Sequence, residues 1–339
     1  MRKVVITGGA GFIGSHLCDA LLAVGVEVAV VDNFVTGKPE NLRQHQGNEL
    51  LTVHEVTIGA DADLRPIFSG ADAVFHLAAL ADIVPSIERP IDYLRANVDA
   101  TVLALEAARS EGVGRFIYAA SSSCYGIPET YPTAEDAPCR PAYPYALTKY
   151  LAEQAVCHWH QVYALATTCL RLFNVYGSRS RTQGSYGAMF GVFLAQKLAG
   201  KPYTVVGDGE QCRDFTHVTD VVDAFLKVAR ARLPDVTGEV FNVGTGVPVS
   251  VRRVAELLGG PCVHIPTRPG EPQRTQADTK KLRKTLGWVA KVTIEEGVAG
   301  LLADLRTWKD APVWTPSTIS AATESWFRYL GDPPHARPA

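Results

Sequence analysis

The chain has 339 residues, and its 33 lysines and arginines against 35 aspartates and glutamates give a formal net charge of −2. This length allows about two folding units, since a domain typically contains about 100–200 residues. The near-neutral charge excludes a general electrostatic attraction to nucleic acid or to an anionic membrane. Any binding of phosphate must therefore come from a local site.

The seven cysteines are scattered along the chain and include no Cys-x-x-Cys spacing. This pattern predicts free thiols in a reducing compartment and argues against a disulfide framework or a zinc site. Met1-Arg2-Lys3 leads directly into an apolar run, which leaves no room for a signal peptide. Because no apolar run approaches the ~20 residues of a spanning helix, we expect a cytoplasmic protein with neither a membrane partner nor a bound metal.

Short apolar runs alternate with longer helical patterns as far as residue 175. The predicted strands cover residues 4–7, 26–31, 51–53, 73–77, 116–120 and 167–173, and the predicted helices cover residues 12–23, 92–110 and 144–163. Runs of this kind are typical of buried parallel strands, and their alternation with helices predicts a doubly wound sheet. Residues 1–175 are thus expected to form a domain of the Rossmann type in an α/β protein.

The pattern loosens after residue 175. A helix near 189–199 and short strands near 203–206, 240–243 and 263–265 predict a smaller, mixed α/β substrate-binding lobe over residues 176–310, with some of the chain crossing back to the first domain. Residues 311–330 form a predicted C-terminal extension, whose helix is capped by Ser317 and ends near Leu330. Its aromatic side chains should dock on the body of the protein or on a second subunit of a homodimer. Residues 331–339 are predicted to be a disordered tail.

A glycine-rich turn follows the first predicted strand, with Gly8, Gly11 and Gly14 opening the first helix. Glycine at these places permits a tight turn, a close approach to a pyrophosphate and close packing of helix on strand. The three glycines alone are also compatible with an ordinary tight turn. Asp32, at the end of the second strand and 24 residues after Gly8, strengthens the prediction of a dinucleotide site. Its carboxylate would accept hydrogen bonds from a ribose 2′-hydroxyl and repel a 2′-phosphate, which favours NAD over NADP. Residues 1–175 are therefore expected to be the NAD-binding domain.

Tyr145 and Lys149 stand four residues apart on a predicted helix, and therefore on one face of it. An ammonium beside a phenol favours the phenolate, so the pair could serve as a base at neutral pH. A half-buried tyrosine beside a surface lysine is the alternative explanation for this spacing alone. Upstream, Ser121-Ser122-Ser123 follows a buried strand, at the edge of the sheet where ligands bind.

Together these motifs resemble the nucleotide-sugar epimerases of the extended short-chain dehydrogenase/reductase family, over roughly residues 3–305. The likeness extends in order through His76-Leu77-Ala78-Ala79 and residues 121–126, 145–149, 171–177, 213–215 and 268–271. It implies that Tyr145 is the catalytic base, that Lys149 holds the nicotinamide ribose, and that Ser121 hydrogen-bonds the reacting sugar oxygen.

The same resemblance implies two sets of binding residues. The set expected at the cofactor NAD comprises Gly8, Gly11, Phe12, Ile13, Gly14, Asp32, Asn33, Thr57, Ile58, Leu77, Ala78, Ala79, Asn97, Tyr145 and Lys149. The set expected at a nucleotide-diphosphate sugar comprises Ser122, Ser123, Tyr145, Asn174, Arg181, Arg213, Arg268, Glu271 and Thr275. Within this second set Arg213 and Arg268 would clamp the diphosphate. Thr57 replaces the acid that usually meets the adenine, and the helix after residue 312 lies outside the family pattern.

Among the reactions of the family, Ser122 and Ser123 favour epimerisation, because dehydratases usually carry Asp and Glu there and decarboxylases commonly carry Ser-Glu. Residues 183–188 and the small Thr275 resemble enzymes that act on UDP-N-acetylhexosamines. UDP-GlcNAc and UDP-glucose are therefore ranked first as substrates of a 4-epimerase. UDP-glucuronate ranks second, because Arg179 and Arg181 could pair with its carboxylate. A dehydratase or reductase of the same family, and a non-catalytic NAD-binding sensor, stay open as alternatives.

Overall fold

The structure is a computed structural model that describes residues 1–181 and 189–331. The strands in these residues are β1 (Lys3–Thr7), β2 (Glu27–Asp32), β3 (Leu51–Glu55), β4 (Ala73–His76), β5 (Phe116–Ser121), β6 (Thr167–Leu172), β7 (Val175–Tyr176), β8 (Tyr203–Val206), β9 (Cys212–Arg213), β10 (Thr216–His217), β11 (Glu239–Val243), β12 (Val249–Ser250) and β13 (Cys262–Ile265). The segment at residues 183–188 and the tail beyond residue 331, on which two of the expectations fall, lie outside the described residues.

The α-helices in the same residues are α1 (Phe12–Leu22), α2 (Arg65–Phe68), α3 (Ile83–Glu88), α4 (Pro90–Leu94), α5 (Ala100–Ser110), α6 (Pro144–Tyr163), α7 (Met189–Leu198), α8 (Val218–Arg230), α9 (Leu233–Val236), α10 (Val251–Leu258), α11 (Lys280–Leu286), α12 (Ile294–Ala303), α13 (Pro316–Ala322) and α14 (Glu324–Leu330). A π-helical turn at Arg95–Asp99 connects α4 to α5. The helix expected over residues 92–110 thus begins earlier and contains an irregular turn.

Seven parallel strands form the main sheet, in the order β11-β6-β5-β4-β1-β2-β3. The strand order 3-2-1-4-5-6 within it is that of a Rossmann fold, and the predicted fold class is confirmed. Side chains alternate between the two faces of a strand. Val4 and Ile6 of β1 accordingly join the apolar cluster under α1 and α8, whereas Val5 joins the cluster under α5 and α6.

The edge strand β11 belongs to the chain that crosses back to the first domain. Residues 240–243 fall in the range given to the smaller lobe, but β11 pairs in parallel with β6 in the main sheet. A strand that reaches the sheet after a long excursion has the same local pattern as a lobe strand, so its partner cannot be read from the sequence. The lobe itself contains the pairs β7 with β10, β8 with β13 and β9 with β12. Its core includes Tyr203, Val254 and Trp308.

The C-terminal extension also differs from its prediction. Thr315, not Ser317, caps its first helix, because the Thr315 hydroxyl accepts a hydrogen bond from the Thr318 N–H. The extension is broken at Thr323 into α13 and α14. Its aromatic surface docks on the body of the same chain, where Trp326 is 5% exposed and donates its indole N–H to the Pro269 carbonyl at 2.8 Å.

Candidate active site

A cleft of about 890 Å³ lies between the glycine turn and the smaller lobe. The carboxyl ends of β1, β2 and β4 border this cleft. Parallel sheets bind their ligands at this edge. The predicted cofactor residues that line it are Gly8, Gly11, Phe12, Ile13, Gly14, Asp32, Asn33, Thr57, Ile58, Leu77, Ala78, Ala79 and Tyr145. The predicted substrate residues that line it are Tyr145, Asn174, Arg181, Arg213, Arg268 and Glu271.

The glycine turn fits a dinucleotide because any side chain would fill the space it leaves. A Cβ on Gly14 would stand 2.3 Å from the Gly8 carbonyl oxygen, and one on Gly8 would stand 2.7 Å from the Ala78 nitrogen. Gly8 also has φ +70°, a conformation that L side chains rarely adopt. Gly11 is the N-cap of α1 and has no side chain with which to cap it. The first N–H groups of α1 are thus available to a pyrophosphate at the positive end of the helix dipole.

Asp32 ends β2 beside this turn and is 7% exposed. Its two carboxylate oxygens accept hydrogen bonds from the backbone N–H groups of Ala10 and Phe34, both at 2.9 Å. Burial raises its pKa, and these backbone hydrogen bonds oppose the rise. Asn33 donates to the Thr57 hydroxyl at 3.2 Å, which joins the ends of β2 and β3. The wall expected to meet the adenosine is therefore held by its own hydrogen bonds.

Tyr145 lies in the first turn of α6, directly after Pro144, whose fixed φ suits the start of a helix. Its side chain lines the cleft and lies close to Ser121. Burial raises the pKa of Tyr145, and the neighbouring Ser121 hydroxyl opposes this rise. The expectation that its neighbouring ammonium would lower this pKa is therefore wrong for the protein without its cofactor.

Lys149 is desolvated as well as Tyr145. Lys149 is 5% exposed, and burial lowers its pKa to about 7. Its ammonium nitrogen lies 4.2 Å from the centre of the Tyr118 ring. The spacing of four residues places Tyr145 and Lys149 on one face of α6, but desolvation weakens the charge that the sequence argument relied on.

The strand-end serines do not all face the same way. Ser121 caps a short 3₁₀ turn, Ser122–Tyr125, by accepting the Ser123 N–H at 3.2 Å, and the two hydroxyl oxygens are 2.8 Å apart. Ser123 was expected to bind substrate, but its hydroxyl is engaged with Ser121. It thus holds in place the hydroxyl that meets Tyr145.

Asn97, expected at the cofactor, is not among the residues that line the cleft and lies behind it. It is 1% exposed in the π-helical turn, and its Oδ1 accepts the Leu80 N–H at 2.8 Å. Its Nδ2 donates to the Leu80 carbonyl and to the Thr148 hydroxyl, each at 3.0 Å. Since these bonds occupy the amide and join the loop after β4 to α6, Asn97 is a positioning residue.

His76, the first residue of the His76-Leu77-Ala78-Ala79 motif, continues this network. Its Nδ1 lies 2.7 Å from the Thr7 hydroxyl and its Nε2 lies 3.0 Å from the Thr101 hydroxyl. Thr101 in turn donates to the Asn97 carbonyl at 2.6 Å. Burial lowers the pKa of His76 to about 3, so the ring is neutral at physiological pH. A buried chain of hydrogen bonds therefore connects the glycine turn to the helix of Tyr145.

Two arginines lie on the lobe side of the cleft. Arg213 is 8% exposed and pairs with Glu271 at 2.9 Å. The guanidinium of Arg268 lies 5.4 Å from the centre of the Trp326 ring. Both arginines line the cleft, as a cationic clamp for a diphosphate requires.

Asn174 and Thr275 meet at the same side of the cleft. The Thr275 hydroxyl donates to Asn174 Oδ1 at 2.9 Å and accepts the Asp214 N–H at 3.0 Å. Asn174 lines the cleft, and Thr275 supports it from the layer behind. Thr275 thus holds the side chain of Asn174, and its expected contact with substrate stays a prediction.

The sequence model of the NAD dependent epimerase/dehydratase family matches residues 4–244. The chain belongs to this family. NAD is therefore its cofactor, which confirms the expectation drawn from the glycine turn and Asp32.

Characterised relatives agree with this membership. A UDP-glucose 4-epimerase from Mycolicibacterium smegmatis is 37% identical over 307 residues, which cover 88% of this chain and 96% of that protein. The structure of a UDP-N-acetylglucosamine 4-epimerase from Methanobrevibacter ruminantium, in complex with UDP-N-acetylmuramic acid, is 32% identical with a TM-score of 0.83 and covers 89% of this chain and 99% of its own. The structure of a UDP-glucuronic acid 4-epimerase from Bacillus cereus, solved with UDP-glucuronic acid and NAD, is 30% identical with a TM-score of 0.83. The match covers 90% of this chain and 99% of that one.

Arg179 and Arg181, which were considered as partners of a sugar carboxylate, each form an ion pair with an aspartate of this chain. Arg181 lines the cleft and forms an ion pair with Asp82, which lines it too. Arg179 instead pairs with Asp19 of α1 at 2.7 Å. Asp82 was missed from the sequence because an acid in a loop has no distinctive pattern.

Other cleft residues were also missed. The apolar residues Met189 and Phe193 of α7 line the cleft, and so do Trp314 and Trp326 of the C-terminal extension. An apolar helix face predicts burial equally well against a core or against a ligand, so α7 gave no separate signal. In the described residues no helix is long and apolar enough to span a membrane. Within those same ranges no group of three or more His, Cys, Asp and Glu could hold a metal ion.

Proposed function

We propose that this protein is an NAD-dependent nucleotide-sugar 4-epimerase that interconverts UDP-GlcNAc with UDP-GalNAc and UDP-glucose with UDP-galactose. The observation that carries the proposal is that Tyr145, beside Ser121, lines one cleft together with the glycine turn and the two arginines. A base, a dinucleotide cradle and a diphosphate clamp in one cleft are what reversible oxidation of a nucleotide sugar needs.

Each side chain has a defined part in this reaction. Tyr145 Oη takes the proton from the C4 hydroxyl of the sugar, and the Ser121 hydroxyl stabilises the developing charge by hydrogen bonding. When bound, NAD supplies the hydride acceptor, the positive charge near the phenol and the later return of the hydride. Tyr145 gives its proton back to the C4 oxygen of the 4-keto sugar after that sugar has turned its other face to the site. Arg213 and Arg268 keep hold of the diphosphate while the sugar turns.

Epimerisation is favoured over elimination of water by the residues after Ser121. A dehydratase needs an additional acid and base, whereas Ser122 and Ser123 occupy those positions and the Ser123 hydroxyl is engaged with Ser121. The relatives named as UDP-glucose and UDP-N-acetylglucosamine 4-epimerases support the same choice.

A neutral sugar is favoured over a uronate by the ion pairs at the cleft. Arg181 and Arg179 pair with Asp82 and Asp19, so a sugar carboxylate would have to displace an internal carboxylate partner. UDP-glucuronate is the second candidate, because Arg181 does line the cleft and a UDP-glucuronic acid 4-epimerase has a similar structure.

The test is incubation of the purified protein with a panel of UDP-, dTDP-, CDP- and GDP-sugars, with products identified by NMR. We expect the 4-epimers of UDP-GlcNAc and UDP-glucose, without net consumption of NADH. A 4-keto-6-deoxy product would overturn the choice of epimerase over dehydratase. Net NADH consumption with rapid cofactor exchange would indicate a reductase. Retained NAD without conversion of any sugar would indicate a sensor.

Tyr145→Phe is the matched test of the catalytic base. We expect its turnover to fall at least about a hundredfold while NAD stays bound. Tyr150→Phe makes the same chemical change in α6 but lies beside Cys139 in another cluster, and its turnover should stay near that of the wild type. Retained turnover in Tyr145→Phe would remove Tyr145 from its assigned role.

A further inference from the structure

The C-terminal extension reaches the cleft, although its sequence lies outside the family pattern. Trp314 precedes α13 and Trp326 belongs to α14, and both side chains line the cleft. The neighbouring Ser325 hydroxyl donates to Glu88 of α3 at 2.8 Å. The extension is thus fixed to the Rossmann domain, and two of its aromatic side chains reach the cleft.

Trp326 lies close to Tyr143 and to Arg268. Its ring centre lies 6.4 Å from that of Tyr143, and the Tyr143 ring is stacked on Tyr145 at 6.4 Å with an angle of 11° between the planes. The other contact is with Arg268, whose guanidinium lies 5.4 Å from the centre of the indole. Trp326 therefore lies between the neighbour of the catalytic phenol and an arginine of the diphosphate clamp.

The backbone after Arg268 is held by the same tryptophan. The indole N–H of Trp326 donates to the Pro269 carbonyl at 2.8 Å, and Gly270 turns the chain at φ +71° towards Glu271, the partner of Arg213. An arginine side chain has several rotatable bonds, and an aromatic face that it packs against restricts its orientation. One side chain thus limits both the rotamer of Arg268 and the position of its loop.

We propose that Trp326 is a substrate-positioning residue, which orients Arg268 towards the diphosphate of the nucleotide sugar. This inference rests on the proposed function, since it takes the substrate to carry a diphosphate. Because the diphosphate does not change during the reaction, Arg268 binds it equally in the ground state and in the transition state. Loss of its orientation therefore weakens binding without slowing the chemical step.

The test measures UDP binding by calorimetry and epimerase kinetics in Trp326→Ala and Trp326→Phe. We expect the Kd for UDP and the KM for the UDP-sugar to rise about tenfold in Trp326→Ala, with kcat within about twofold of the wild type. Trp326→Phe keeps an aromatic face and loses only the hydrogen bond to Pro269, so its Kd for UDP and its KM for the UDP-sugar should rise only a few-fold. Phe327→Ala is the matched control, because Phe327 is the next residue of α14 and is 38% exposed.

A double-mutant cycle separates orientation of Arg268 from a general effect on the fold. In the Arg268→Ala background, Trp326→Ala should leave the Kd for UDP unchanged. A further loss of affinity in that background, an unchanged Kd in the single variant, or a fall in kcat at constant KM would each overturn the inference. If no sugar in the panel is epimerised, the proposed function is contradicted. UDP binding is measured without turnover, so it still tests the role of Trp326 in that case.

Discussion

The ammonium nitrogen of Lys149 lies 4.2 Å from the centre of the Tyr118 ring, on the buried face of α6. Tyr118 belongs to β5, so the contact joins the catalytic helix to the strand that ends at Ser121. The ring gives a partial electrostatic replacement for the lost hydration of the ammonium. It does not replace all of it, because burial still lowers the pKa of Lys149 to about 7.

The lowered pKa of Lys149 predicts a pH-dependent stability difference. The unfolded chain binds the proton of this lysine more tightly than the folded one, so the folded protein loses stability as the pH falls from the unfolded value towards 7. Lys149→Met should therefore be more stable than wild type in the cofactor-free protein. The difference in the free energy of unfolding between Lys149→Met and the wild type should be about 3 kcal/mol smaller at pH 9 than at pH 6.5. Unfolding in guanidinium measures this difference. Exposed Lys284→Met is the control, and parallel curves for Lys149→Met and wild type would contradict the prediction.

Gly14 predicts a second effect, on both cofactor binding and stability. A Cβ there would stand 2.3 Å from the Gly8 carbonyl oxygen, and neither backbone can retreat without moving α1 from β1. We expect Gly14→Ala to lower the free energy of unfolding by about 2 kcal/mol and to reduce the NAD that stays bound on purification. Gly300→Ala in α12 should instead raise stability by about 0.5–1 kcal/mol, because its Cβ would meet nothing within 4 Å. Normal NAD content in Gly14→Ala would show that the close packing is not required.

Asp32 predicts the choice between NAD and NADP. Replacing it with Asn removes the negative charge that would repel a 2′-phosphate, and it also places an amide group against the Ala10 and Phe34 N–H donors. The ratio of the NADP Kd to the NAD Kd should fall about tenfold or more in Asp32→Asn, as measured by fluorescence titration. Glu55→Gln removes the same charge from the paired end of β3 and should leave the ratio unchanged. Equal ratios in wild type and Asp32→Asn would assign the discrimination to another group.

The local patterns predicted most of this site. The glycines, Asp32, Tyr145 and Lys149 belong to motifs whose spacing within one strand, turn or helix decides where the side chains point. The position of β11 could not be obtained in this way, because pairing with β6 joins residues about 70 apart and depends on the whole sheet. Asn97 was placed at the cofactor by the family resemblance. Its π-helical turn, which directs it to Leu80 and Thr148, has no recognisable sequence signal.

The sequence also could not predict how burial changes the pKa values in the site. The argument for a lowered Tyr145 pKa used the charge of Lys149 and had no means of including the desolvation of both groups, which depends on Tyr118 and other packed neighbours. The aromatic side chains of the C-terminal extension were expected to dock on the body or on a second subunit, and Trp326 docks on the body. Its place beside Arg268 depends on a loop about 60 residues earlier in the chain.

His76 provides a last prediction, because its neutral ring holds the hydrogen bonds to Thr7 and Thr101. Burial, with a smaller contribution from the charge of Lys149, lowers its pKa from 6.5 to about 3. The unfolded chain therefore binds a proton that the folded chain rejects between these pH values, and stability is lost as the pH falls below 6.5. This one group should lower the free energy of unfolding by about 3 kcal/mol between pH 7 and pH 4.

Carboxylates titrate in the same range, so the test compares variants instead of the wild type alone. His76→Gln retains polar atoms but has no ring to protonate, and its free energy of unfolding in urea should fall less steeply with acidification than that of the wild type. At pH 7 it should be less stable, because an amide cannot reach both Thr7 and Thr101 with the geometry of the imidazole. Exposed His158→Gln should follow the wild-type curve at every pH. If His76→Gln also runs parallel to the wild type from pH 7 to pH 4, the ring does not resist protonation, and the link between the glycine turn and α6 does not depend on a neutral histidine.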